Sequence, residues 1–184
     1  MSRKIVNQIA GTLLVATALT GCGEAVPQAP ELRDAPVYEN AQEGFRFMVP
    51  DGWTQTASSN LPPGKLDGEA FLARYRVKSP EAGSMLVIEC FQAEGSSDLQ
   101  KHHTASSYRA KSWQLVGEPE TLELGGREAQ RMNFEATLDG RKISKEVTCF
   151  QKGSRVYSFV GLFSSTDEKA QQQIQRAVAS VIWE

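Results

Sequence analysis

The cysteines and histidines of this sequence, the side chains with the readiest thiol, metal-binding and proton-transfer chemistry, are Cys22, Cys90, Cys149 and the neighbouring pair His102-His103. Adjacent residues on a helix point about 100° apart, so His102 and His103 do not chelate one ion as an i, i+4 pair would. They read as surface residues of a helix, and no metal site is expected. The cysteines form no Cys-x-x-Cys pair, so thioredoxin-like redox chemistry has no support. Gly-x-Ser-x-Gly, phosphate-loop and dinucleotide fingerprints are all missing from the sequence, and no cofactor is expected. Serines fall in turns and caps with no histidine placed beside them. The acidic residues are scattered, and solvated strand edges are the expectation for them. No enzyme is predicted, for want of a positioned nucleophile or acid–base set.

Cys22 is different because of what precedes it. Arg3 and Lys4 make a positive start, and 9–19 form an apolar run of export-signal length. That run is shorter than the ~20 apolar residues that a membrane-spanning helix needs. Its ending, Leu19-Thr20-Gly21-Cys22, resembles the bacterial lipobox. That resemblance implies cleavage before Cys22, acylation of its thiol with palmitate or a similar chain, and a membrane anchor at the new N-terminus. Gly23 stands where inner-membrane lipoproteins often carry Asp. The resemblance therefore implies an outer-membrane position facing the periplasm in a Gram-negative organism, and otherwise the outer face of the cell membrane.

The domain reading follows: 1–21 signal peptide, 22–37 lipidated Cys and Pro-rich linker, 38–184 folded domain. Three prolines in 23–37 make an extended spacer that holds the domain clear of the lipid. The chain has 184 residues, with 20 basic and 22 acidic. Losing Arg3 and Lys4 leaves 18 basic against 22 acidic residues, a balance of −4. No basic stripe survives, so a nucleic-acid partner is not expected. In an exported protein the remaining pair, Cys90 and Cys149, is either a disulfide or two buried thiols, and both readings stay open.

Elements that would position these residues come from periodicity. Phe45, Phe47 and Val49 alternate with Arg46 and Met48, Pro50-Asp51-Gly52 turns, and Trp53 begins a second strand, predicting a hairpin. A long loop, 57–69, carries an apolar, restricted tip at Leu61-Pro62-Pro63 with Lys65 and Asp67 at its rim. It is either a binding loop or an idle insertion. Met85 to Phe91 and Val156 to Phe163 are apolar on both parities and so belong in the sheet centre. Ser96 to Lys111 reads as a surface helix. Glu128 to Leu138 and Lys142 to Gln151 flank Asp139-Gly140, a two-residue hairpin signal. Ser165 and Glu168 form a capping box for a last helix with Ala170, Ile174, Ala177 and Val178 on its apolar face.

This order, with the opening Gly44-Phe45-Arg46-Phe47 and Pro50-Asp51-Gly52-Trp53, resembles the PsbP-like fold of PsbP, Mog-type and DcrB-type proteins. The resemblance implies an α+β domain, an antiparallel β-sheet flanked by helices on both faces in an α/β/α sandwich. It also implies a non-enzymatic binding or accessory role, and it carries over no catalytic residues. The expected function is contact with another envelope protein; the alternative is a small-molecule or ion carrier using a cleft beside the sheet.

Overall fold

A computed structural model describes residues 36–59, 61, 68–77, 83–93 and 98–184. The elements are β1 (Val37–Asn40), β2 (Phe45–Met48), β3 (Trp53–Ser58), β4 (Ala70–Val77), β5 (Met85–Gln92), α1 (Leu99–Thr104), β6 (Gln114–Leu124), β7 (Arg127–Leu138), β8 (Arg141–Lys152), β9 (Arg155–Ser164), α2 (Glu168–Ala179) and β10 (Ile182–Trp183). Seven strands form one sheet in the order β3-β4-β5-β9-β8-β7-β6, and β1-β2-β10 form a second. All of these strands pair antiparallel. Among the described residues the architecture is a mostly antiparallel β-sheet with two short helices.

The double-parity apolar strands behave as their composition requires. β9 is the middle strand and β5 lies beside it. Tyr157, Phe159 and Phe163 enter one core with Phe45, Phe47 and Phe150, while Val156, Val160 and Leu162 enter a second with Val87, Met132 and Val147. A strand buried on both sides needs apolar side chains on both parities, which is the pattern that β9 carries around the single buried Ser158. The β7–β8 hairpin turns at Asp139 (φ 51°) and Gly140 (φ 77°), the two left-handed residues of a type I′ turn.

Helix α2 buries Ala170, Ile174, Ala177 and Val178, as the 3.6-residue period predicts. Its seat is Gly161 on β9: a Cβ there would stand 2.7 Å from Ile174 Cγ2, so only glycine lets the helix approach this closely. The cap is Asp167 rather than Ser165. Its side chain accepts a hydrogen bond from Ala170 N at 3.0 Å, while the Ser165 hydroxyl turns away to the Lys142 carbonyl.

Two other expectations need correction. The opening strand does not make a hairpin with Trp53. Both edges of β2 are taken, by β1 and β10, and β3 instead pairs with β4 in the larger sheet. The Pro50-Asp51-Gly52 turn therefore carries the chain between sheets. The first helix is also shorter than its cap-to-cap reading: α1 stops at Thr104. Ser106 and Ser107 bond their hydroxyls to the Ala110 and Ala105 carbonyls, giving the backbone an alternative to helix. The Ser107–Ala110 segment closes as a small turn, with Tyr108 at φ 50° and Arg109 at φ 71°.

Candidate binding recess over a buried polar cluster

Strand register assembles the site. On one face of the larger sheet the paired positions Arg76, Met85, Leu162, Lys145 and Phe134 run in a row across β4, β5, β9, β8 and β7. A parallel row places Glu89, Ser158 and Cys149 opposite one another. Helix α1 and the segment after it lie against these rows, bringing His103, Tyr108 and Trp113 into contact with them.

Lys145 is 1% exposed, which leaves a long cation inside a core. Its ammonium donates to the His103 carbonyl at 2.5 Å and lies 4.4 Å from the Trp113 ring centroid and 5.0 Å from that of Phe134. These contacts replace part of the lost water. Burial still pulls its pKa down to about 8, against the opposing pull of Glu89 and Glu69.

Glu89 sits in the otherwise apolar β5. Burial pushes its carboxyl up to about 7, while the hydrogen bond that Tyr108 donates to it opposes that shift. It also shares a hydrogen bond with Glu69. Glu69 is held down at about 2, chiefly by its contact with His102 at 3.5 Å. Of the two carboxyls, Glu89 is thus the one pushed up and Glu69 the one held down. The same contact raises the His102 pKa, and the His102 ring stacks on Phe91 at 4.5 Å between centroids.

His103 is buried, contrary to the surface reading of the pair, and burial holds its ring neutral with a pKa near 3. Its Nε2 lies 3.2 Å from Ser158 Oγ and 3.6 Å from Cys149 Sγ. A Ser, a Cys and a His in contact resemble nucleophile and base, but burial raises the Cys149 thiol to about 12, far from thiolate. Arranged this way, the three groups satisfy one another's hydrogen bonds.

Beside this cluster opens a recess of about 510 Å³. Arg74, Arg76 and Arg109 stand at its walls, Met85, Ile143 and Leu162 supply apolar lining, and Tyr108 and Trp113 connect it to the buried groups. A second charged group lies on the far side of the domain. Arg155 Nη1 meets both Glu43 carboxylate oxygens, at 3.0 and 2.7 Å, and Tyr157 donates to Glu43 at 2.5 Å. Glu43, Glu89 and Glu146 are therefore packed groups, unlike the solvated edge carboxylates expected.

Of the residues singled out from the sequence, Cys22, Pro62, Pro63, Lys65 and Asp67 lie outside the described residues. Leu61 is partly buried against the core that contains α2. Cys90 and Cys149 are both free and buried. They enter different cores, and β9 lies between their strands. Two strand spacings of ~4.8 Å exceed the ~7 Å Cα reach of a disulfide, so of the two open readings the structure has buried thiols. Trp113 lines the recess. Arg74, Arg76, Tyr108, Arg109 and Lys145 were missed. The available signal was a lone charge inside strands that are otherwise apolar, at Glu89 and Lys145.

The fold these elements build is PsbP-like. Cyanobacterial PsbP (CyanoP) from Synechocystis sp. PCC 6803 is similar at a TM-score of 0.60 and 11% identity, over 86% of this chain and 99% of that chain. LpqN of Mycobacterium tuberculosis, a protein involved in cell envelope biogenesis, is similar at 0.50 and 12% identity, over 81% and 90%. A Bacteroides thetaiotaomicron protein matches at 0.52 and 9% identity, and this chain spans 82% of its own length and 48% of that one. At these identities the likeness is one of fold. No protein-family profile matches the sequence, and no curated protein matches it in sequence.

Proposed function

We propose that this protein is a non-catalytic binding or accessory protein of the cell envelope, anchored through acylated Cys22 and acting by contact with another envelope protein. One observation carries the non-catalytic part. The buried acid, base and thiol groups on the α1 face are engaged with one another, and none forms an activated nucleophile–base pair at an open cavity. The shared fold with an envelope-biogenesis protein, together with the lipobox-like Leu19-Thr20-Gly21-Cys22, supports the compartment. In the finer architecture, α1 and α2 cover opposite faces of the larger sheet as an α/β/α sandwich. The contacts of His103 with Ser158 and of Ile174 with Gly161, neighbours of opposite parity on β9, support this layering. The contact surface is the segment after β3, with Leu61, Pro62, Pro63, Lys65 and Asp67; Ala57 and Ser58, read as loop from the sequence, belong to β3.

Site-specific photo-crosslinking in cells tests the role. A probe at Lys65 should give a discrete product that disappears in the Cys22→Ala chain, whereas a probe at exposed Glu128 should not. Equal products from both positions, or none from either, contradict it. The recess favours a second reading, a small-molecule carrier. Its volume falls in the ~300–1,000 Å³ range of ligand sites, and its lining mixes apolar and cationic groups.

A further inference from the structure

Resting on the carrier reading, we infer that the recess between β4, β5 and the segment after α1 binds a small amphipathic oxyanion, a carboxylate or phosphate head joined to an apolar body. Three features of the recess converge on this ligand chemistry.

The first is the cationic wall. Arg74 and Arg76 project from the same face of β4, two residues apart, and Arg109 stands across from them. Among the described residues neither Arg74 nor Arg76 has a carboxylate ion-pair partner. The Arg74 guanidinium rests 5.1 Å from the Phe71 ring centroid, and its Nε is buried with no hydrogen-bond partner. A buried, unsatisfied guanidinium donor is costly on its own and is relieved by an oxygen acceptor. The planar fork of Arg matches carboxylate and phosphate oxygens in pairs, which an ammonium does not.

The second feature is apolar. Met85, Ile143 and Leu162 line the recess away from the arginines. An inorganic anion has no use for these side chains, whereas an apolar body removes their surface from water.

The third is backbone conformation. Tyr108 and Arg109 occupy the left-handed region in succession, where a non-Gly residue is strained. Asn or Gly would serve a type I′ turn without that strain. The two side chains kept there are the ones that face Glu89 and the recess. Strain retained at a cavity wall is a mark of a working site. Arg109 also meets Asp139 at 3.3 Å, with both side chains exposed, so this contact competes only weakly with a bound anion.

The test is calorimetric titration of the full chain carrying Cys22→Ala, so that no acyl chain of its own competes. The probes, kept below micelle-forming concentrations, are decanoate, decyl phosphate, decanol, decyltrimethylammonium and inorganic phosphate. Decanoate, decyl phosphate or both should bind at one site, and which of them binds identifies the head group. Decanol, inorganic phosphate and the cation should bind at least tenfold more weakly. Arg76→Gln, at an exposed position that cannot collapse the fold, and Arg74→Gln should each weaken binding about tenfold or more. If decanol or the cation binds as tightly as the anions, or the Arg variants keep full affinity, the oxyanion assignment is wrong while a carrier remains. Inorganic phosphate binding as tightly as decyl phosphate overturns the apolar half. If no amphiphile of any charge binds, the carrier reading itself fails.

Discussion

The Lys145 ammonium lies 4.4 Å from the centre of the Trp113 ring, inside a core where Lys145 is 1% exposed. This pair joins the buried polar cluster to the recess, because Trp113 also lines the cavity. A cation held by one carbonyl and two aromatic rings is compensated rather than stabilising in its own right. Lys145→Met, which keeps the stem and drops the charge, should change stability by less than about 1.5 kcal/mol. Both variants leave the His103 carbonyl without its donor, but Lys145→Ala also opens a cavity and should cost about 2–4 kcal/mol. Urea unfolding of the two variants checks this, and equal losses would contradict it.

Glu89 supplies a pH dependence whose sign is determined by its environment. Its folded pKa, about 7, lies above the ordinary value of 4.5, chiefly through burial. The folded state therefore holds the proton more tightly, and this contribution is complete below about 4.5 and lost as pH rises through about 7. His103, held near 3 by burial, acts oppositely, raising stability as pH rises from 3 towards 6.5. The comparison with Glu89→Gln isolates the first effect. From pH 4.5 to 7 the variant should gain stability relative to the parent chain, read by urea unfolding at each pH. Parallel curves would remove Glu89 from the account.

Arg109 at φ 71° gives a prediction that separates stability from function. Arg109→Gly should relieve about 1 kcal/mol of backbone strain and raise Tm by about 2–4 °C. The lost partner, Asp139, is exposed and its ion pair contributes little. A lower Tm would mean that the Arg109 side chain, and not its backbone, dominates this turn.

What the sequence made legible is what local periodicity encodes. β9 and β5 were central because they are apolar on both parities, and α2 followed from spacing alone. The β7–β8 hairpin followed from Asp139-Gly140. Non-local choices were not legible. Nothing near Phe45 says that β10, some 137 residues later, takes the edge of β2 and so sends Trp53 to another sheet. The recess was hidden for the same reason, since Arg76, Met85, Leu162 and Ile143 come from four strands and meet only through register. Glu89-Cys90-Phe91-Gln92 and Thr148-Cys149-Phe150-Gln151 show how little a short likeness carries. Cys90 enters one core and Cys149 the other.

Anchoring at Cys22 is the claim on which the envelope role depends, because acylation there would hold the domain at a membrane surface. Among the described residues no helix is long and apolar enough to cross a membrane, and the proposed anchor rests on the lipobox-like Leu19-Thr20-Gly21-Cys22. The most direct measurement is intact-mass and N-terminal peptide mass spectrometry on the protein from the membrane fraction, with the Cys22→Ala chain fractionated in parallel. The account predicts a mature chain beginning at Cys22 with its thiol acylated, and a Cys22→Ala domain absent from the membrane fraction. An unmodified Cys22, a mature N-terminus at another residue, or a Cys22→Ala chain that stays in the membrane at the parent level would contradict it.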